Sequence, residues 1–519
     1  MRIGLINEGT YPIVTGGVSS WCDRLFVGLP EHDFHVVTLT GGGDPRPVWS
    51  IPANVEYTLH PLWGPARGSA WGRRRRNRLD ESLSRMWSAL LPHGSADHSR
   101  DSIDLPRVSA ALQMLAEIAA EGPIDGLLRA GGSTYPLLRA WAAHRARFPD
   151  LPPLTLADAS RVAMLTDSAL RSLDVAWPEV DVVHCAASGP SALVGLARHW
   201  RDGTPIVMTE HGVYLRERYL ALRSGGDFTW PVRYAFLAFL RAVCSVAYDE
   251  AELLTPVSEF NGRWERRLGA DPERVVVIHN GVDESLYPFL TEEPQTPTVT
   301  FVGRIDPLKD LHTLISAFDL VHQQLPEARL RLFGPTPAGN ESYRADLEQL
   351  IADRGIGDAV SFEGSVGSSM VAAEAGHVVA LSSISEGLPF TVMEAMFNGR
   401  ATVNTDVGGV NEVVGTDGVA GIVVPPRDPE AMAAELLRLL VDHDARQTMG
   451  RAARARAERM FTLGYFADRH RLLYETARHG GLDHSAPLAP PTRVPDQADG
   501  SSWPEVAPVP IEALVRRTP

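Results

Sequence analysis

Short apolar runs alternate with helix-length amphipathic stretches along most of the chain. In the first half, 3–6, 34–39, 180–184, 206–209, 253–257 and 275–278 read as strands. Helices are expected over 17–29 and 188–200. Apolar runs bounded by turn residues and separated by helices mark strands of a parallel sheet covered on both faces. A second series follows the Pro-rich stretch 292–297. Its strands are expected at 299–302, 329–333, 360–362, 378–381, 401–404 and 422–424, with a helix over 309–324. The fold class is therefore α/β, with two doubly wound domains facing each other across a cleft. Ligands of such domains sit at the carboxyl ends of the strands.

The stretch from about 63 to 175 breaks this rhythm. It is rich in Arg, Ala, Ser and Pro and reads as a helical insertion in the first domain. The expected domains are 1–290 with that insertion and 296–462. A C-terminal helix over 463–479 is expected to pack back towards the first domain. The Pro-rich tail 480–519 reads as disordered, with a brief docking helix over 511–517.

Composition narrows the function classes. The 519 residues carry a net charge of −15, which disfavours a nonspecific grip on nucleic acid. The run Arg73, Arg74, Arg75, Arg76 is a local exception, read as a solvated helix start rather than a membrane or acidic-partner patch. Cys22, Cys185 and Cys244 form no close pair, so neither a disulfide framework nor a zinc site is expected. No signal peptide or long apolar run is read, and a cytoplasmic location is expected.

Four places carry candidate chemistry. Gly16 and Gly17 lie between a strand and a helix, where glycines admit a ligand to the backbone and the helix start offers free N–H groups; an ordinary turn is the alternative. Arg304 and Lys309 flank a strand end and a helix start and could neutralise a diphosphate, unless they are solvated surface cations. In the segment Glu386, Gly387, Leu388, Pro389, Phe390, Thr391, a loop leads into a helix whose N–H groups could meet a diphosphate. Glu394, on that helix's second turn, could hold two ribose hydroxyls. Its apolar neighbours make it semi-buried, so a partner is expected. His211 follows the strand 206–209 and could touch a ligand; taken alone, a structural histidine is the stronger reading. Asp442 and Asp444 spell D-x-D but lie between two helices. They read as a helix boundary with Asp444 as the N-cap, not as a metal site.

Together these pieces resemble glycosyltransferase family 4. The matching residues are Gly16 and Gly17, the run 277–283 with His279 and Asn280, Gly303-Arg304 with Lys309, and Glu386 with Glu394 eight positions on. Gly408, Gly409 and Glu412 match a further G-G-x-x-E loop. The segments 7–21 and 209–218 look most like the PelF-type exopolysaccharide glycosyltransferases. The resemblance implies a GT-B fold of two Rossmann-like domains and retaining transfer from a nucleotide-diphosphate sugar, preferably UDP-glucose, with no metal or other cofactor. The acceptor would be a saccharide or a lipid-linked hydroxyl, and a membrane-bound polysaccharide synthase complex an expected partner. It also implies roles. Arg304 and Lys309 bind the diphosphate, Glu386 the donor sugar and Glu394 the ribose. His211 lies beside the sugar, Gly16 and Gly17 approach phosphate or acceptor, and the backbone from Gly387 to Thr391 cradles sugar and phosphate. The competing readings are a nucleotide-sugar epimerase or phosphorylase on the same fold, and a non-catalytic nucleotide-sugar-binding subunit.

Overall fold

The computed structural model describes residues 1–65, 72–91, 103–124, 134–176, 178–224 and 228–480. The tail from 481 onward, with its expected docking helix, lies outside the described residues. The chain folds as two compact units. Unit 1 takes Met1–Pro256, Gly262–Val277 and Arg469–Pro519; unit 2 takes Val257–Asn261 and Ile278–Asp468.

Unit 1 opens with β1 (Arg2–Glu8), α1 (Gly17–Gly28), β2 (Asp33–Thr40) and β3 (Val55–Pro61). Four helices follow: α2 (Arg73–Leu90), α3 (Leu105–Ala120), α4 (Thr134–Arg147) and α5 (Leu156–Leu170). The sheet resumes with β4 (Val182–Cys185), α6 (Pro190–Asp202), β5 (Ile206–Met208), α7 (Tyr214–Ser224), α8 (Trp230–Glu250) and β6 (Leu253–Leu254). Helix α9 (Glu259–Arg267) comes next. The six strands run in the order β3-β2-β1-β4-β5-β6, and every pairing is parallel. Central β1 is apolar and buried on both faces, as strands beneath two helical layers must be. The insertion is part of the same body. Leu83, Met86, Leu112, Trp141 and Val162 share one core with Ile6, Val183 and Leu193. Helix α8 is long and apolar enough by composition to cross a membrane. Its Phe239, Val243 and Tyr248 are instead spent on that core.

Unit 2 contains β7 (Thr298–Val302), α10 (Leu311–Gln324), β8 (Arg329–Phe333), α11 (Glu341–Asp353), β9 (Val360–Gly364), α12 (Met370–Ala375), β10 (Val378–Leu381) and α13 (Phe390–Phe397). It continues through β11 (Ala401–Thr405), α14 (Val410–Val414), β12 (Ile422–Val424), α15 (Pro429–Val441), α16 (His443–Met460) and α17 (Leu463–Arg478), whose last residues belong to unit 1. Its parallel sheet has the order β12-β11-β10-β7-β8-β9. In each sheet the strand order reverses beside the first strand. The switch points lie between β1 and β4 and between β7 and β10, where ligands of doubly wound sheets bind.

Several local expectations need correction. The strand expected at 275–278 reduces to a single bridge between Val275 and Leu254. The helix expected from Lys309 starts two residues later. Asp306 accepts from Leu308 N at 2.9 Å and starts a 3₁₀ turn over Pro307–Lys309, and Asp310 then takes φ 44° before α10 begins. The N-cap of α16 is Asp442, whose carboxylate accepts from Ala445 N at 2.9 Å. Asp444 lies inside the first turn.

Candidate functional site

The richest constellation lies at the switch point of unit 2. After β7 the chain turns at Gly303, whose N–H donates to Phe333 O at 2.9 Å. Gly334 (φ 140°) is packed so closely that a Cβ there would collide with the carbonyl of Gly303. Arg304 follows, its side chain 55% exposed and 4.0 Å from Asp306. Lys309, at the end of the 3₁₀ turn, lies over the loop that follows β10. Two bonds hold that turn in place: Ile384 N to Leu308 O at 2.9 Å and Ser382 Oγ to Lys309 O at 2.7 Å. The result is an ion pair across the switch point, Lys309 Nζ to Glu386 Oε1 at 2.6 Å, and Ser383 Oγ donates to the same oxygen at 2.5 Å.

The rest of that loop is fixed from below. Gly409 N donates to Gly387 O at 2.9 Å, and Asn280 Nδ2 donates to Leu388 O at 3.0 Å. Gly408 (φ 58°) lies against Glu386, leaving no room for a Cβ beside that carbonyl. The loop runs through Pro389, the N-cap of α13, which brings no side-chain acceptor to the helix start at Phe390 and Thr391. The first N–H groups of a helix have no intrahelical partner and carry the positive end of its dipole. Glu394 is only 7% exposed and accepts from Ser369 Oγ at 2.7 Å, so the partner its burial demands includes a serine 25 residues away.

At the switch point of unit 1, Glu8 closes β1 and its carboxylate accepts from Ser191 N at 3.0 Å and Ser191 Oγ at 3.1 Å. Glu8 therefore occupies the N-terminus of α6. Desolvation pushes its carboxyl above the usual range. By contrast, α1 starts at Gly16 without a side-chain cap, and a Cβ on Gly16 would meet open space. Gly17 is the first residue of that helix. His211 follows β5 and meets the edge of Trp21 at 4.7 Å between ring centroids. Its Nε2 is enclosed without a hydrogen-bond partner among the described residues. Desolvation, and secondarily His470, push this imidazole down to about 3, so it is neutral. Its neighbour Glu210 is fully buried, accepts a bond from Ser188 Oγ and is raised to about 7 by desolvation. Behind them His184 shares hydrogen bonds with Tyr474 OH at 2.7 Å and Thr209 Oγ1 at 2.8 Å.

Arg304, Lys309, Glu386 and the backbone from Gly387 to Thr391 thus gather around one sheet edge of unit 2, with Glu394 farther along α13. Gly16, Gly17 and His211 belong to unit 1. The sequence reading assigned no role to Ser383, Ser369, Asp306 or Glu8. Asp306 had a local signal, an acidic residue before proline at a helix start. Ser369 had none, since tertiary packing brings it to a carboxylate 25 residues away, whereas Ser383 lies three residues before Glu386 in the same loop.

Comparison with known proteins gives the lineage. Residues 1–273 match the domain of unknown function DUF3492, and residues 285–456 match glycosyl transferases group 1. The chain is 32% identical over 377 residues to a D-inositol 3-phosphate glycosyltransferase of Streptomyces scabiei, covering 68% of this chain and 75% of that enzyme. It is 31% identical over 307 residues to the sulfoquinovosyl transferase SQD2 of Arabidopsis thaliana, and spans 55% of that protein's length. Among solved structures, Anabaena HepE in complex with UDP and glucose aligns over 92% of this chain and all of that one, with a TM-score of 0.58 at 16% identity. Sucrose-phosphate synthase from Thermosynechococcus elongatus aligns over 92% of this chain and 98% of that one, with a TM-score of 0.59 at 18% identity. These likenesses, with two six-stranded parallel sheets, are those of the GT-B fold. The chain belongs to the DUF3492 family over its first half and, as a whole, to the group 1 glycosyltransferases.

Proposed function

We propose that the protein transfers a hexose from a nucleoside-diphosphate sugar, with retention of configuration and without a divalent ion. The observation that carries this reading is the Lys309–Glu386 pair across the unit 2 switch point, beside the start of α13, whose N-cap Pro389 has no side-chain acceptor. An ammonium has three donors. Glu386 takes one and aims the rest, so Lys309 can hold a diphosphate oxygen without releasing the carboxylate. Arg304 adds a second cation, and the first N–H groups of α13 add a fixed dipole. Glu394 receives the ribose hydroxyls, and Glu386 the hydroxyls of the donor sugar.

In this mechanism the bond from the sugar C1 to the diphosphate oxygen breaks first, and charge accumulates on the leaving group. The acceptor oxygen bonds C1 from the face the diphosphate vacates. Its proton passes to the departing phosphate oxygen. Lys309, Arg304 and the helix start stabilise the growing charge, a contribution that acts in the transition state. His211, being neutral, serves as a hydrogen-bonding group beside the sugar and not as a counter-ion. Phosphate approaching unit 1 is left to Gly16 and Gly17, since Glu8 already fills the start of α6.

UDP-glucose is the preferred donor, a choice supported by the family resemblance and by the UDP-glucose complex of Anabaena HepE. The acceptor is a saccharide or lipid-linked hydroxyl of PelF-type exopolysaccharide synthesis, reached at the cytoplasmic side of a membrane-bound synthase. The test incubates the full chain with UDP-, GDP- and ADP-sugars, with and without EDTA. Nucleotide release from one donor, undiminished by chelation, is expected. Release that stops in EDTA and returns with Mg²⁺ or Mn²⁺ rejects the metal-free reading. Tight nucleotide-sugar binding with no release from any donor would favour a non-catalytic binder.

A further inference from the structure

The chain passes between its two units at 256/257, 261/262, 277/278 and 468/469. Unit 2 holds the short segments beside these passages by one acidic side chain and by the donor loop itself. Glu412, in the first turn of α14, accepts from Glu259 N at 2.8 Å and Phe260 N at 3.0 Å. The same carboxylate meets His279 Nε2 at 3.2 Å. It therefore grips both passage segments, 257–261 and 278–282, from one point. Arg456 fixes that point through bonds to Glu412 O at 2.9 Å and Val413 O at 2.7 Å.

The grip is continuous with the loop assigned to the donor. Asn280, next to His279, donates to Leu388 O, and Gly409, three residues before Glu412, donates to Gly387 O. A Cβ on Gly409 would collide with Ser258 and Leu388. Val257, Val282 and Leu388 share one apolar cluster with Val410 and Val413. The end of α16 joins the same patch, because Val282 N donates to Phe461 O at 2.8 Å.

We infer that Glu412, with Asn280, is a positioning group that makes the donor loop 386–388 and the passage segments respond to nucleotide as one piece. The inference rests on unit 2 being the donor site. It assigns Glu412 no contact with substrate. A carboxylate accepting two backbone N–H groups and facing a histidine is a multi-point anchor that no apolar residue replaces. Its loss leaves the donor loop's own cations and helix start intact but detaches the segments that lead into unit 1.

Hydrogen exchange of the full chain with and without UDP, GDP or ADP tests this. In the native protein, nucleotide is expected to slow exchange in 386–391 and also in 257–261 and 278–282. In Glu412→Ala the protection of 386–391 persists while that of the passage segments is lost. Nucleotide affinity then shifts less than about threefold, and turnover at saturating donor falls about tenfold or more, the signature of misplacement rather than lost binding. Asn280→Ala breaks the link from the other end and is expected to give the same pattern, so a fold defect in one variant does not decide the matter. Passage segments that stay unprotected in the native protein, or stay protected in both variants, overturn the inference while leaving the donor site standing. Absence of protection at 386–391 with every nucleotide overturns the donor site and the inference together.

Discussion

Lys309 Nζ and Glu386 Oε1, from loops 77 residues apart, meet at 2.6 Å across the point where the strand order of the second sheet reverses. The carboxylate orients the cation, and both face the place where a ligand of such a sheet binds.

Removing either cation tests the leaving-group role. Lys309→Ala and Arg304→Ala are expected to lower turnover at saturating donor about a hundredfold, the effect of one lost donor to a developing anion of roughly 3 kcal/mol. Binding of the free nucleoside, which carries no diphosphate, stays near its native value in calorimetry. Full turnover in both variants would show that these cations do not stabilise the leaving group.

Glu394 predicts the opposite split. Glu394→Ala is expected to weaken nucleoside binding about tenfold or more through lost charge-assisted bonds. Ser369→Ala, which removes only the group that steadies the carboxylate at 2.7 Å, weakens it less. Turnover at saturating donor changes little in either. A variant pair that loses turnover but binds nucleoside normally would move Glu394 away from the ribose.

The reach of sequence reasoning follows from what burial does to a pattern. Strands such as β1 and β10 are apolar on both faces and bounded by turns, so their runs are visible. β3 escaped because it is an edge strand with Glu56, Tyr57 and Thr58 exposed in succession, which leaves neither a run nor an alternation. The pair Glu386 and Glu394 was legible because one loop and one helix carry both. Their partners Lys309 and Ser369 come from other crossovers, and no local rule pairs them. The neutral state of His211 was illegible for the same reason, since the ring of Trp21 that packs on it and the charge of His470 that acts on it come from distant parts of the chain.

Glu210 makes stability depend on pH between 4.5 and about 7. Its folded carboxyl is raised to about 7 from an ordinary value of 4.5, so its contribution is full below 4.5 and lost as pH rises through 7. Glu210→Gln keeps an acceptor for Ser188 and removes the charge. It is expected to melt above the native protein at pH 8, by up to about 3 kcal/mol of added stability. The advantage disappears below pH 4.5. An equal difference at both pH values would mean that Glu210 does not titrate on unfolding.

Glu293 acts in the other direction. Arg446 binds it through two nitrogens at 2.8 and 2.6 Å and, with Gln447 at 2.9 Å, holds its carboxyl down at about 2 despite desolvation. This stability is present above 4.5 and lost as pH falls towards 2. Arg446→Ala is expected to cost about 2–3 kcal/mol at pH 7, because it takes two charge-assisted bonds from a half-buried carboxylate that keeps Gln447 and His443. The gap to the native protein narrows as Glu293 becomes protonated. Denaturant unfolding at pH 7 and pH 4 measures it, and a gap that is unchanged at the lower pH counts against the ion pair.

The composition of unit 1 fixes an order of synthesis. Its sheet is translated first, yet its last piece, from Arg469 on, is translated after the whole of unit 2. That piece supplies Tyr474 to His184, packs His470 against Trp21, and sends Arg471 to Glu31 at 2.7 Å. On the ribosome, unit 2 can therefore complete its core while unit 1 still lacks the cover over His184 and Trp21, a state in which exposed apolar surface invites aggregation. A nonsense codon anywhere between 461 and 473 removes nothing from the sheet of unit 1. It nevertheless strips the cover from His184, so a lesion at or after the end of unit 2 is felt in the sheet of unit 1.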